Sequence, residues 1–398
     1  MSFDVAAVRA QFPALAAGAA HFYGPGGSQT AAAVARAVHD TLISPIANRG
    51  SVTRAEQRAE TIVRQARSAM ANLLGADPAG VVFGRSMTQL TFDLARTLAR
   101  QWSAGDQIVV SRLDHDANVR PWVIAAADAG AQVRWIDFDP DSTELTVEHV
   151  TDQLGERTRL VAITGASNLL GSRPDLAAIA AQVHAVGALL FVDGVHLTAH
   201  AGIDLVALGA DFFSCSAYKF FGPHCGVLAA DPQLLASLRP DKLLPASDAV
   251  PERFELGTLP YELLAGTTAA VEVIAGLDGG IGSRRQRVLA SMQAVGAHED
   301  RLRLRIEGRL AELSGVTMHS RARHRTPTLL VTFADRTPGE AYRFLADRDI
   351  NAPAGTFYAY EPARRLGLAD GGLRIGLAPY VDDADVDRLL AALTEFAS

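Results

Sequence analysis

Between about Val81 and Ala230, short apolar runs alternate with amphipathic segments, and that alternation limits the fold more than any other feature of the chain. Gln107–Ser111, Gln132–Asp137, Arg159–Thr164, Ala188–Asp193 and Asp211–Ser214 are short and largely apolar, as strands buried on both faces are. Between them, Asp175–Val186 places apolar residues three and four apart, the pattern of a helix lying on a sheet. Strands and helices taking turns predict crossovers and a mostly parallel sheet covered on both sides. Such a sheet offers its ligand site at the carboxyl ends of its strands.

After Thr258 the pattern changes. A long helical stretch runs from about Leu263 to Leu313, interrupted by the Gly-rich turn Asp278–Ser283. Strands recur at Thr328–Phe333 and Leu373–Leu377, with helices at Gly339–Asp347 and Asp383–Phe396. The expected division is therefore an N-terminal segment over 1–20 packing on the small domain, a large domain over 21–262, and a linking helix with a smaller C-terminal α/β domain over 263–398. With 398 residues, 48% of them hydrophobic, the chain can bury a core of that size. Its formal charge of -7 comes with dispersed Lys and Arg, so no basic run invites nucleic acid or an anionic membrane. No apolar run reaches membrane-spanning length and residues 1–20 lack a signal peptide's layout, so the expected location is the cytoplasm. Two cysteines, Cys215 and Cys225, are too few for a disulfide framework and lack the spaced partners of a zinc site; no metal is expected.

The chemistry gathers where the strands end. Ala188–Asp193 closes in a carboxylate and is followed by Gly194, Val195 and His196; Asp211–Ser214 leads within five residues to Lys219. A lysine just after a buried strand is partly desolvated, which lowers its pKa and frees a neutral amine for imine formation with an aldehyde. A buried carboxylate nearby can hold a pyridine nitrogen protonated and make the ring an electron sink. Alone, a strand-end Asp caps the next helix and a loop Lys is solvated; together they point at one cleft.

Seven strings extend this pair along the chain: GRSMTQLTF (Gly84–Phe92), LDHDANVRPW (Leu113–Trp122), GASNLLGS (Gly165–Ser172), FVDGVH (Phe191–His196), SAYKFFGPH (Ser216–His224), RFELGT (Arg253–Thr258) and LRIGL (Leu373–Leu377). In this order the chain resembles the class V aminotransferase-fold enzymes, and among them the cysteine-desulfurase-like proteins. The resemblance implies the fold-type I architecture of transferases dependent on pyridoxal 5'-phosphate, and a homodimer with active sites shared between subunits. It also implies that Lys219 holds the cofactor as a Schiff base and later moves the Cα proton, and that Asp193 pairs with the pyridinium nitrogen. His115 would stack on the ring, Asn168 would bond its phenolic oxygen, and His196 would sit on that oxygen's side. Met87, Thr88 and Ser216 would serve the phosphate end, Thr88 at the entry to a helix beginning at Gln89, with Thr258 reaching the phosphate from the partner subunit. Tyr218 stands where desulfurases of this family usually carry histidine. Arg374 would bind the substrate carboxylate with its guanidinium fork, in place of the alternative reading, a surface ion pair.

The resemblance thus implies an enzyme acting at Cα or Cβ of a small amino acid. Elimination, transamination and epimerisation all begin with the same proton removal, and the sequence leaves that choice open. Desulfurases of the family place a nucleophilic cysteine on a small-domain loop ahead of the carboxylate-binding arginine. Here that stretch, Asn351–Ala359, has none. The expected function is therefore a C–S lyase or β-eliminating enzyme without a persulfide-carrying cysteine, with an aminotransferase or epimerase, a persulfide-forming desulfurase and a non-catalytic cofactor-binding protein as alternatives. Gly355–Tyr358 would close over the substrate on its Gly hinge. Gly24–Gly27 is expected to shape a turn near the entrance; a dinucleotide-binding enzyme is disfavoured because no Gly-x-Gly-x-x-Gly follows an early strand.

Overall fold

A computed structural model describes residues 3–397. In chain order its strands are β1 (Ala20–His21), β2 (Val81–Gly84), β3 (Gln107–Ser111), β4 (Gln132–Ile136), β5 (Thr158–Thr164), β6 (Leu189–Asp193), β7 (Phe212–Ser216) and β8 (Gly226–Ala230). They continue with β9 (Val316–Met318), β10 (Thr328–Phe333), β11 (Ile350–Asn351), β12 (Ala354–Gly355) and β13 (Gly372–Gly376). Seven form the large sheet, ordered β2-β8-β7-β6-β5-β3-β4. From β7 to β4 the neighbours run parallel, while β8 runs antiparallel to both β7 and β2. The central strands are buried almost end to end, as a sheet covered on two faces requires.

The predicted strands of the large domain reappear within one or two residues. One shift matters: the strand read as Asp211–Ser214 extends to Ser216, so Lys219 follows its end by three residues. Another concerns the phosphate end, where the helix starts at Met87 rather than Gln89. The Ser86 side chain accepts the Gln89 N–H and so caps the helix two residues earlier, making Met87 and Thr88 first-turn residues. The long helical stretch resolves into Tyr261–Gly276 and Arg284–Glu312, the latter opened by a Ser283/Gln286 capping box. That second helix, about 43 Å long at ~1.5 Å per residue, spans from beside the large sheet to the second one.

The second sheet, β12-β13-β10-β9, is antiparallel throughout. Its strand β13 also bridges Tyr23, and β1 pairs parallel with β11, so the chain's beginning is woven into its end. Arg9 strengthens this by donating to Asp385 and to the Tyr380 carbonyl. No helix among the described residues is long and apolar enough to cross a membrane.

Candidate active site

The strand ends of the large sheet and strand β13 of the small one face a single cavity of about 290 Å³. Of the residues singled out in the sequence, Met87, Thr88, His115, Asn168, Asp193, His196, Ser216, Tyr218, Lys219 and Arg374 all line it. Thr258 does not: it is exposed, on a loop held by Glu255 and Glu252, which pair with Arg67.

Lys219 leaves β7 in a single 3-10 turn and donates from Nζ to the Pro25 carbonyl. Burial, helped by the Arg374 cation and opposed by Asp193, lowers its pKa to about 7. An amine so placed is neutral in a large fraction near neutral pH, as a nucleophile needs. Asp193 ends β6, accepts the Val195 N–H at 2.9 Å and is pushed up to about 6 by burial, against the pull of that N–H and Lys219. A cationic nitrogen beside it would restore full ionisation.

His115 reaches the cavity from a turn fixed by a buried network. Asp114 takes hydrogen bonds from the Ser111 hydroxyl, from Asn118 Nδ2 at 2.7 Å and from Thr164 N–H at 3.0 Å, while Trp122 Nε1 donates to Asn118 at 3.0 Å. Burial pushes the Asp114 carboxyl up to about 8. His115 Nδ1 accepts the Ala117 N–H at 3.0 Å, which leaves the proton on Nε2. Burial and the cations of Lys219 and Arg374 lower its pKa to about 4, so the ring is neutral. His196 also lines the cavity, and its Nε2 lies 2.8 and 2.9 Å from the hydroxyls of Thr326 and Thr328, tying the end of β6 to β10 and the loop before it.

Arg374 decides the character of the far wall. It is only 2% exposed, donates once to the Asn168 carbonyl at 3.1 Å, and lies 3.6 Å from the Phe357 ring centroid. No carboxylate among the described residues pairs with it, which removes the surface ion pair as its role. Burial drives its pKa down to about 9, and a buried guanidinium without an anion costs several kcal/mol. An incoming carboxylate relieves that cost.

Phe357 and Tyr358 roof the cavity in left-handed backbone conformations, φ 55° and 58°. For aromatic residues these are strained, and two hydrogen bonds hold them: Asn168 Nδ2 donates to the Phe357 carbonyl at 3.1 Å and the Asp116 N–H to the Tyr358 carbonyl at 2.8 Å. The loop with the expected Gly hinge is thus already docked on Asn168 and Asp116.

Tyr23 and Asp114 escaped the sequence reading, and Pro25 was read only as part of the entrance turn Gly24–Gly27. Asp114 lies inside the LDHDANVRPW string, and its i, i+4 spacing from Asn118 was the available signal. Nothing in the sequence foretells that Pro25 offers its carbonyl to Lys219, because the contact spans 194 positions.

The donor set fits pyridoxal phosphate. A buried amine of lowered pKa and a buried carboxylate share one cavity with a neutral imidazole, and Asn168 Oδ1 and Arg374 Nε are buried polar atoms without a partner. At the other end stand the Ser216 hydroxyl and the first turn of helix Met87–Ala99, whose free N–H groups suit a phosphate.

Comparison with known proteins agrees. The profile of the family "Aminotransferase class-V" matches residues 20–389. "Uncharacterized protein MT3887" of Mycobacterium tuberculosis is 34% identical over 99% of each chain. A "Probable cysteine desulfurase" of Pseudomonas aeruginosa is 31% identical over 97% of this chain and 96% of its own. Among solved structures, the cysteine desulfurase CsdA of Escherichia coli, in its S-sulfonic acid form, superposes with a TM-score of 0.86 at 28% identity, covering 100% of this chain and 99% of the other. The chain therefore belongs to the class V aminotransferase family, as a pyridoxal-phosphate-dependent, cysteine-desulfurase-like enzyme of fold type I.

Proposed function

We propose that the chain is an amino-acid lyase that breaks the bond to a β-substituent, as in cysteine, without a protein thiol to carry the product sulfur. When bound, pyridoxal phosphate supplies an aldehyde for amines and a ring that accepts the electrons of a bond broken at Cα. Lys219 would hold the aldehyde and, with its amine free, would take the Cα proton on Nζ. Asp193 would stabilise positive charge at the ring nitrogen, and neutral His115 and Asn168 would hold the ring. Met87, Thr88 and Ser216 would hold the phosphate, and Tyr218 flanks Lys219. Arg374 fixes the substrate carboxylate, with Phe357 and Tyr358 excluding water above it. His196 acts from behind, keeping the end of β6 docked on the small domain.

The observation that carries the thiol-free reading is where the cysteines lie. Cys215, within β7, and Cys225 are both buried and neither lines the cavity. Burial pushes the Cys225 thiol up to about 12 and that of Cys215 higher still, so neither offers a thiolate at neutral pH. The loop over Arg374 carries Phe357 and Tyr358 instead. Exposure of Thr258, on a loop fixed by the Arg67 pairs, supports its reaching into a partner's site in a homodimer.

The test is a titration of the purified holoenzyme with single amino acids, following cofactor absorbance and released keto acid together. Stoichiometric pyruvate and sulfide from cysteine are expected. An absorbance change with inverted or transaminated product instead would replace the lyase with an epimerase or aminotransferase, and no change across the panel would leave only a cofactor-binding protein.

A further inference from the structure

Beyond Asn168 the chain turns back and leaves the active-site cavity as Arg173–Asp175. Ser172 bridges Arg325, the Arg173 N–H donates to the His324 carbonyl at 2.9 Å, and the Thr326 N–H donates to the Gly171 carbonyl at 2.9 Å. These two loops, with Asp300 and Arg303 of helix Arg284–Glu312, border a second cavity of about 410 Å³ that is open to solvent. Its wall holds four arginines, Arg173, Arg303, Arg323 and Arg325, against two carboxylates, Asp175 and Asp300, so cations exceed anions by two.

Two of the four are already committed. Arg303 is satisfied by Asp300 and Glu307, and the Arg325 guanidinium gives its Nη atoms to Glu307 and the Ala322 carbonyl. Arg325 Nε remains buried with no partner. The guanidiniums of Arg173 and Arg323, and the His324 ring, make no hydrogen bond or ion pair with any described residue. Asp175 is occupied as a helix cap, accepting the Ala178 N–H at 3.1 Å. Arg173, Arg323 and His324 are all exposed at the rim of this cavity, and Asp300 is the carboxylate that faces Arg173. A concave wall with an excess of cations, two free forks and a buried N–H donor is suited to oxyanions.

We propose that this cavity is a binding site for a small polyanion bearing two or more phosphate or carboxylate groups, held by Arg173 and Arg323 with His324 and Arg325 Nε completing the cradle. The site is separate from the cofactor cavity, but its walls are the reverse side of the loops that carry Asn168 and Thr326. Neither free arginine takes part in the proposed lyase chemistry, so the site stands or falls independently of it.

The holoenzyme is titrated calorimetrically with pyrophosphate and, in a second series, with citrate, at constant ionic strength because exposed charges are screened by salt. The expected result is saturable binding of at least one probe, one per subunit, below about 1 mM, weakened about tenfold or more by Arg173→Gln with Arg323→Gln. Tighter pyrophosphate binding marks a phosphate ester as the natural ligand, and tighter citrate binding a polycarboxylate. Cofactor absorbance and basal turnover of the double variant should match the parent, which shows that its fold is intact. Failure of both probes to saturate, or equal binding by parent and double variant, would overturn the proposal.

Discussion

Lys219, Asp193, His115 and Arg374 each owe their expected reactivity to burial, and each therefore predicts a pH effect of known sign. For Lys219 the fall from an ordinary lysine value to about 7 means that the amine becomes neutral as pH rises through 7. Capture of pyridoxal phosphate by the apoenzyme should accelerate between about pH 6 and 8 and then level off. A rate still climbing towards pH 10 would show an ordinary lysine. Arg374→Ala should raise KM for the amino acid by about 10- to 100-fold, the worth of one or two charge-assisted hydrogen bonds, with a smaller effect on kcat. Asp114 is a stability case. Its folded pKa of about 8 exceeds the ordinary 3.8, so the folded protein binds the extra proton; the stability this gives is lost as pH rises through 8. Asp193 tilts the same way at lower pH and Lys219 the opposite way in the apoenzyme, so the clean measurement is a difference. The fall in Tm between pH 6 and 9 should be shallower for Asp114→Asn than for the parent.

At the scale of elements, the loop Gly355–Tyr358 concentrates the most strain in the site. Tyr358 is 77% exposed and sits at φ 58°, so its ring contributes little burial while its backbone costs about 1 kcal/mol. Tyr358→Gly should therefore hold or raise Tm while raising KM, because the roof loses rigidity. A drop of several degrees in Tm would mean that the ring, not the backbone, matters there. The central strands were legible because burial on both faces writes an uninterrupted apolar run, and the helix Asp383–Ala397 because its apolar face repeats. The edge pair β2 and β8 was not singled out: four- and five-residue strands with Gly at one end read equally as turns, and their antiparallel pairing depends on residues about 145 positions apart. The helix start at Met87 was misplaced because the capping role of Ser86 competed with the more polar Gln89. Motif residues such as Lys219, Asp193, His115 and Arg374 share one cavity, whereas Thr258 of RFELGT does not line it; contacts between distant loops, such as Lys219 to Pro25 and His196 to Thr326 and Thr328, were not legible.

For the whole molecule, the site needs both sheets: the large one supplies the residues for the cofactor, while β13 supplies Arg374 and the turn after β12 supplies the roof. The further division into a large domain over 21–262 and a smaller one over 263–398 is proposed to let the roof open for substrate. In a homodimer the mass in solution should be twice 42.2 kDa. Thr258→Ala should then weaken cofactor retention, although Thr258 does not line the active-site cavity of its own chain. The central claim is that turnover needs no cysteine of this protein. It is tested most directly by assaying pyruvate and sulfide release from cysteine by Cys215→Ala, Cys225→Ala and the double variant, with Tm measured on each. Keto-acid release within a few-fold of the parent is expected in every variant that stays folded. Loss of release in either single variant at undiminished Tm would contradict this and return a thiol to the mechanism.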